Sequence, residues 1–135
     1  MNDYAIIALG NPDQQTQTET VLRDLELTPL GTQEAERILF LLTDRPIRLL
    51  VLALSLFQYR SEALRSLLRL CPENSVLLVA DSPLQAQHAH ISFGGCIHHV
   101  FFYPPSSAEI HDFALTALRK QCDKKENTAS RSSGR

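Results

Sequence analysis

No surplus of positive charge marks this chain: 13 Lys and Arg are outweighed by 15 Asp and Glu, for a formal net charge of -2. Arginines stand singly at Arg37, Arg45, Arg48, Arg60, Arg65 and Arg69. Gripping a phosphate backbone takes clustered cations, so direct nucleic-acid binding is not expected. Cysteine is scarce as well. Cys71, Cys96 and Cys122 are odd in number, far apart and free of CxxC spacing, which excludes a disulfide framework and suits free thiols in a reducing compartment. Long apolar runs are missing: LLVLALSLF, from Leu49 to Phe57, is about half of what a bilayer-spanning helix needs. The opening MNDYAIIALG lacks a basic stretch before its short apolar run, so it does not read as a secretory signal. A cytoplasmic protein without a membrane segment is expected.

What is present reads as one domain. A chain of 135 residues buries roughly two thirds of its unfolded surface on folding and needs neither metal nor disulfide to do so. Tyr4 to Leu9 is a short apolar strand ended by Gly10-Asn11-Pro12-Asp13, a turn and helix start. Asp13 to Leu25 predicts a helix whose apolar stripe (Val21, Leu22, Leu25) is confined to its second half. Leu27 to Gly31 predicts a short strand interrupted by Pro29. Thr32 predicts an N-cap, with Ala35, Ile38, Leu39 and Leu42 as the buried face of the helix that follows.

Ile47 to Leu56 reads as a strand whose centre is apolar without alternation, the mark of a strand covered on both faces. Ser61 then opens a helix with Leu64, Leu67, Leu68 and Cys71 at i, i+3, i+4, i+7. Ser75 to Ala80 predicts a fourth strand, Pro83 to Phe93 a weak helix, and Ile97 to Tyr103 a fifth strand stopped by Pro104-Pro105. Ser106 or Ser107 caps a last helix carrying Ile110, Phe113, Ala114, Ala117 and Leu118. Strands and helices that alternate through short connections imply an α/β, flavodoxin-like fold: five parallel strands with helices on both faces. The domain is expected to span residues 1–121. Residues 122–135 (CDKKENTASRSSGR) have little to bury and read as a disordered tail or linker.

The punctuation of these elements resembles the receiver domain of bacterial response regulators from Tyr4 to about Gln121. The segment GGCIHHVFFYPPS looks like that family's Gly-Ala-x-Asp-Tyr-x-x-Lys-Pro region with about one extra residue. The resemblance implies an acidic pair after the first strand, an aspartate ending the third, a hydroxyl ending the fourth and a lysine before proline in the fifth. Here those positions hold Leu9 and Gly10 (or at most Gly10 and Asn11), Leu52 or Ala53, Ala80 (with Asp81 and Ser82 close behind), and Tyr103. Mg²⁺ requires oxygen ligands, and Leu9 and Gly10 supply no side-chain oxygen. No carboxylate occurs between Ile47 and Tyr59 to accept a phosphoryl group. The resemblance therefore implies a degenerate pseudo-receiver without catalysis, cofactor or metal. The run Pro104-Pro105-Ser106 after the fifth strand is also similar to N-terminal domains of some sigma-54-dependent activators.

Other chemistry is weaker still. Cys96, His98 and His99 sit close in sequence, but strand alternation would put His99 on the face opposite Cys96 and His98, and the spaced pairs of a zinc site are missing. Asp81-Ser82 lacks the strained elbow of a hydrolase. The Gly10–Asp13 loop offers one glycine, an amide lost to proline and an acidic residue, a poor phosphate cradle. What remains is recognition of protein: a partner in bacterial signalling or transcriptional regulation, or a second copy of the chain. Ile91, Phe93, His99 and Phe102 are the candidate interface residues. The alternative is a small-molecule sensor using the strand ends, the default ligand position in such sheets.

Overall fold

The computed structural model describes residues 3–57, 61–80, 82, 84, 96–102 and 104–133, and of positions 35, 61, 63 and 122–133 the backbone alone. Five parallel strands form one sheet in the order β2-β1-β3-β4-β5. They are β1 (Asp3–Ala8), β2 (Leu27–Gly31), β3 (Ile47–Ala53), β4 (Val76–Val79) and β5 (Ile97–Phe101). The helices are α1 (Pro12–Asp24), α2 (Ala35–Asp44), α3 (Ser61–Arg69) and a C-terminal α4 (Ser107–Ser133). The helix expected from Pro83 to Phe93 lies outside the described residues except at Leu84, which is exposed.

The sheet divides the core in two, and alternation along each strand feeds both halves. Ile6, Ala8, Leu50, Leu52 and Leu78 pack with Ile38 and Leu41 of α2 and Leu64, Leu67 and Leu68 of α3. Ala5, Ile7, Leu49, Val51 and Leu77 pack with Leu22 of α1 and Ala114 and Ala117 of α4. Unbroken apolar runs in β3 and β4 are thus strands buried on both faces. Pro29 is tolerated because β2 is an edge strand, where the missing N–H can face away from β1.

Helix ends follow local chemistry. Asn11 caps α1 by accepting the Gln14 N–H at 3.1 Å, with Pro12 in the first turn. Ser106 and Glu109 form a capping box at α4, each side chain accepting the other's backbone N–H at 3.2 Å. Thr32 is not the cap of α2. That helix begins after Glu34, and the Thr32 hydroxyl instead accepts the Glu34 N–H at 3.2 Å. Within α2, Ile38 and Leu41 are buried while Leu39 and Leu42 pack only partly.

Two further expectations are revised. The third strand ends at Ala53, and Leu54–Phe57 is a 3-10 turn rather than more strand. The segment from Cys122, read from its composition as disordered, continues α4 as helix to Ser133. Lys, Glu, Ala and Arg in that stretch are good helix formers, and the helix is already nucleated on the domain. Finally, the pairing of β4 with β5 shifts register between Val76↔Ile97 and Leu77↔His99, leaving His98 as an extra residue. That bulge absorbs one residue in the segment where the sequence carries about one too many. Among the described residues no helix is long and apolar enough to cross a membrane.

Candidate functional site

Chain connections leave β1 and β3 toward opposite sides of the sheet, so the carboxyl ends of these neighbours mark the switch point where such folds place ligands. Among the described residues, the side chains at the positions expected there are apolar. Leu9 is 5% exposed, Leu52 0%, Ala53 6% and Ala80 1%. Leu52 lies between Ala8 of β1 and Leu78 of β4, and Ala53 beside Val79. Leu52 and Ala80 belong to the α2–α3 side of the core, Leu9 and Ala53 to the α1–α4 side.

The 3-10 turn closes this end of the sheet. Leu54 and Phe57 are buried with the α2–α3 side, and Leu56 packs against both halves of the core. Gly10 has φ +79°, a left-handed conformation that glycine adopts without strain, and a Cβ there would sit 3.9 Å from Leu56 Cδ2. The chain thus turns out of β1 directly beside Leu56.

Backbone groups at the end of β1 are also occupied. Gln15 Oε1 accepts the Leu9 N–H at 3.1 Å, and Gln15 Nε2 donates to the Ile7 carbonyl at 2.8 Å. Gly31 makes room for this clamp: a Cβ would lie 2.8 Å from both Gln15 Nε2 and Glu19 Oε1. A carboxamide from α1 therefore satisfies the groups that an incoming ligand could otherwise use. Sequence reasoning missed Gln15, one of several glutamines in a polar helix with nothing to distinguish it. Leu54, Leu56 and Phe57 carried a signal, since the apolar run from Leu49 is longer than the strand that holds its start.

At the other edge, the candidate interface residues separate. Phe102 is 52% exposed, just past the end of β5. His99 is half-buried, stacked on Phe113 of α4 with ring centroids 3.8 Å apart and edge-on to Phe101 at 4.7 Å. Phe101 meets Phe113 edge-on at 5.2 Å, completing an aromatic seam between β5 and α4. Ile91, Phe93 and Tyr103 lie outside the described residues.

His98 also approaches Phe113, edge-on at 6.5 Å. The expectation that His98 and His99 take opposite faces is overturned by the bulge, which sets both beside α4. His98 Nδ1 is buried without a hydrogen-bond partner. Burial, then the charge of Lys120, then His99 hold its pKa below the usual histidine value. Burial raises the thiol pKa of Cys96 and pushes that of Cys71 up to about 12, the latter helped by the nearby Cys96. Among the described residues no three His, Cys, Asp or Glu side chains converge as metal ligands.

No protein-family model and no curated protein matches the chain. Solved structures do. The signal receiver domain of an HD domain-containing protein from Pseudomonas fluorescens Pf-5 aligns with TM-score 0.73 at 20% identity, over 93% of this chain and 92% of that one. A sensor protein from Polaromonas sp. JS666 aligns with TM-score 0.66 at 14% identity, over 88% and 97%. NtrX from Brucella abortus, solved in complex with ADP, aligns with TM-score 0.75 at 16% identity over 100% of this chain but only 30% of its own length. With its all-parallel sheet in the order 2-1-3-4-5, the chain has the flavodoxin-like fold of response-regulator receiver domains.

Proposed function

We propose that this chain is a pseudo-receiver: a signalling domain that takes up no phosphoryl group, catalyses nothing, and works in the cytoplasm by recognising protein. The carrying observation is the burial of Leu52 and Ala53 beneath the Leu54–Phe57 turn, where a phosphorylatable receiver needs a hydrated carboxylate. Phosphoryl transfer rests on positioned charge and metal, and Leu9, Gly10 and Ala80 supply neither at the neighbouring strand ends. Regulation then comes from concentration, partner binding or a ligand that prefers one state. A regulatory module of a bacterial transcription activator, of the sigma-54-dependent kind or another, fits this reading. The small-molecule alternative is less well supported, because Leu56 spans both halves of the core and Gln15 occupies the free backbone groups.

The test is capture of partners from the native host with the tagged domain, with and without acetyl phosphate and Mg²⁺. The same partners should be retained in the same amounts in both conditions. A partner gained or lost only when the phosphodonor is present would overturn the proposal.

A further inference from the structure

Cys71 and Cys96 are far apart in the sequence, and the fold brings them to one place. Cys71 follows α3, where its Sγ donates to the Leu67 carbonyl at 3.3 Å and its N–H to the Leu68 carbonyl at 3.2 Å. Cys96 is the residue immediately before β5. A single buried residue, Ser75, ties the two segments together. Its N–H donates to the Cys96 carbonyl at 3.1 Å, and its hydroxyl donates to the carbonyl of Pro72, next to Cys71, at 2.6 Å.

Both side chains join the same half of the core. Cys96 is buried in the cluster lined by α2 and α3, and Cys71 packs half-buried against it. The sulfurs are near enough that Cys96 adds to the rise in the Cys71 pKa, and burial holds both as neutral thiols. Among the described residues no third His, Cys, Asp or Glu joins them as a metal-ligand group. A disulfide, by contrast, carries no charge and has no S–H to satisfy. That product suits an apolar core better than either thiolate.

We propose that Cys71 and Cys96 form a reversible disulfide, a redox-sensitive clasp between the end of α3 and the start of β5. The oxidant is a small-molecule disulfide. One cysteine, as its thiolate, attacks a sulfur of that disulfide, whose S–S bond breaks to release one small thiolate. The second cysteine thiolate then attacks the protein sulfur of the mixed disulfide and expels the other small thiolate. Two cysteine thiols become one protein disulfide, and the small disulfide takes up their two electrons and two protons as two small thiols. Transient redox-sensing disulfides are the kind that reducing compartments hold. The bridge closes residues 72–95 into a loop and fixes the start of the strand whose bulge carries His98. The inference stands apart from the proposed function, since it requires nothing of the phosphoryl site.

Oxidised glutathione is the probe, applied to the native chain at about pH 8.5, where thiolate is less scarce than at neutrality. Intact mass should fall by about 2 Da with no glutathione retained. A protease that cuts after acidic residues separates the two cysteines at Glu73 and Asp81. Its fragments should stay joined through Cys71 and Cys96 until dithiothreitol parts them. Cys122→Ser should behave as the wild type, whereas Cys71→Ala and Cys96→Ala should each abolish the mass decrease. The oxidised chain should melt higher by on the order of 10 °C, because the loop is then closed in the unfolded state too. A native chain that stays reduced while the urea-unfolded chain oxidises would overturn the proposal. So would a lasting glutathione adduct at Cys71 or Cys96 of the wild type, a bridge to Cys122, or an oxidised form that melts below the reduced one.

Discussion

Placing a carboxylate back at the end of β3 tests the packing of the strand ends. Leu52 is wholly buried between Ala8 and Leu78, within the core half lined by α2 and α3. Leu52→Asp loses most of the burial of a leucine side chain, about 2 kcal/mol. It also sets a carboxylate among the apolar side chains of that core half, which costs about 3–5 kcal/mol when ionised. Together these rival the whole stability of a domain this size, about 5–15 kcal/mol. Leu52→Met, which conserves volume, should cost under about 1.5 kcal/mol.

The pH dependence separates the two contributions. A buried Asp has its pKa raised in the folded state, so the folded chain binds more protons than the unfolded one above the ordinary value of about 3.9. Stability of Leu52→Asp should therefore fall as pH rises from there toward the folded-state pKa, while the cost of lost packing stays constant. Urea unfolding of wild type, Leu52→Met and Leu52→Asp across this range reads both. A Leu52→Asp protein as stable as wild type at neutral pH would mean that water reaches the strand end. It would refute the closed site and revive the ligand-pocket alternative.

His98 gives a second pH signature. Its folded pKa is lowered by burial and by Lys120, so the unfolded chain binds more protons as pH drops below the ordinary value of about 6.5. Thermal midpoints should rise with pH through that window, and the rise should shrink in His98→Gln. No change of slope in that variant would contradict the assignment. Cys71, whose pKa is pushed up to about 12 beside Leu67 and Cys96, should resist alkylation at neutral pH until the protein is unfolded. Modification of Cys71 in the native state at the rate of a free thiol would refute its raised pKa.

The β1, β3 and β4 strands were legible because double-sided burial writes unbroken apolar runs, and the α3 face because Leu64, Leu67 and Leu68 repeat at helical spacing. The burial of Leu9, Leu52, Ala53 and Ala80 was equally legible, since all four close or follow apolar strand runs. What covers them was not. Leu54–Phe57 has the composition of strand, and only the end of its pairing with β4 bends it into a turn over Gly10. Thr32 and Glu34 are both plausible helix starts, and the competition was settled by a local hydrogen bond between them. The faces of His98 and His99 depended on a register shift, which follows from how β4 meets β5 and not from either strand alone. The helical course past Gln121 was hidden by composition, because a segment with nothing to bury can still propagate a helix that packing has nucleated upstream.

The central claim, that the receiver fold here has no phosphoryl chemistry, is tested most directly by amide NMR spectra of the labelled domain titrated with beryllofluoride and Mg²⁺. Resonances of Leu9, Gly10, Leu52, Ala53 and Ala80 should stay where they are up to millimolar-scale additions, and intact mass should be unchanged after incubation with acetyl phosphate. Saturable, Mg²⁺-dependent shifts at Leu9 and Ala53, or a phosphoryl adduct in the mass spectrum, would contradict it.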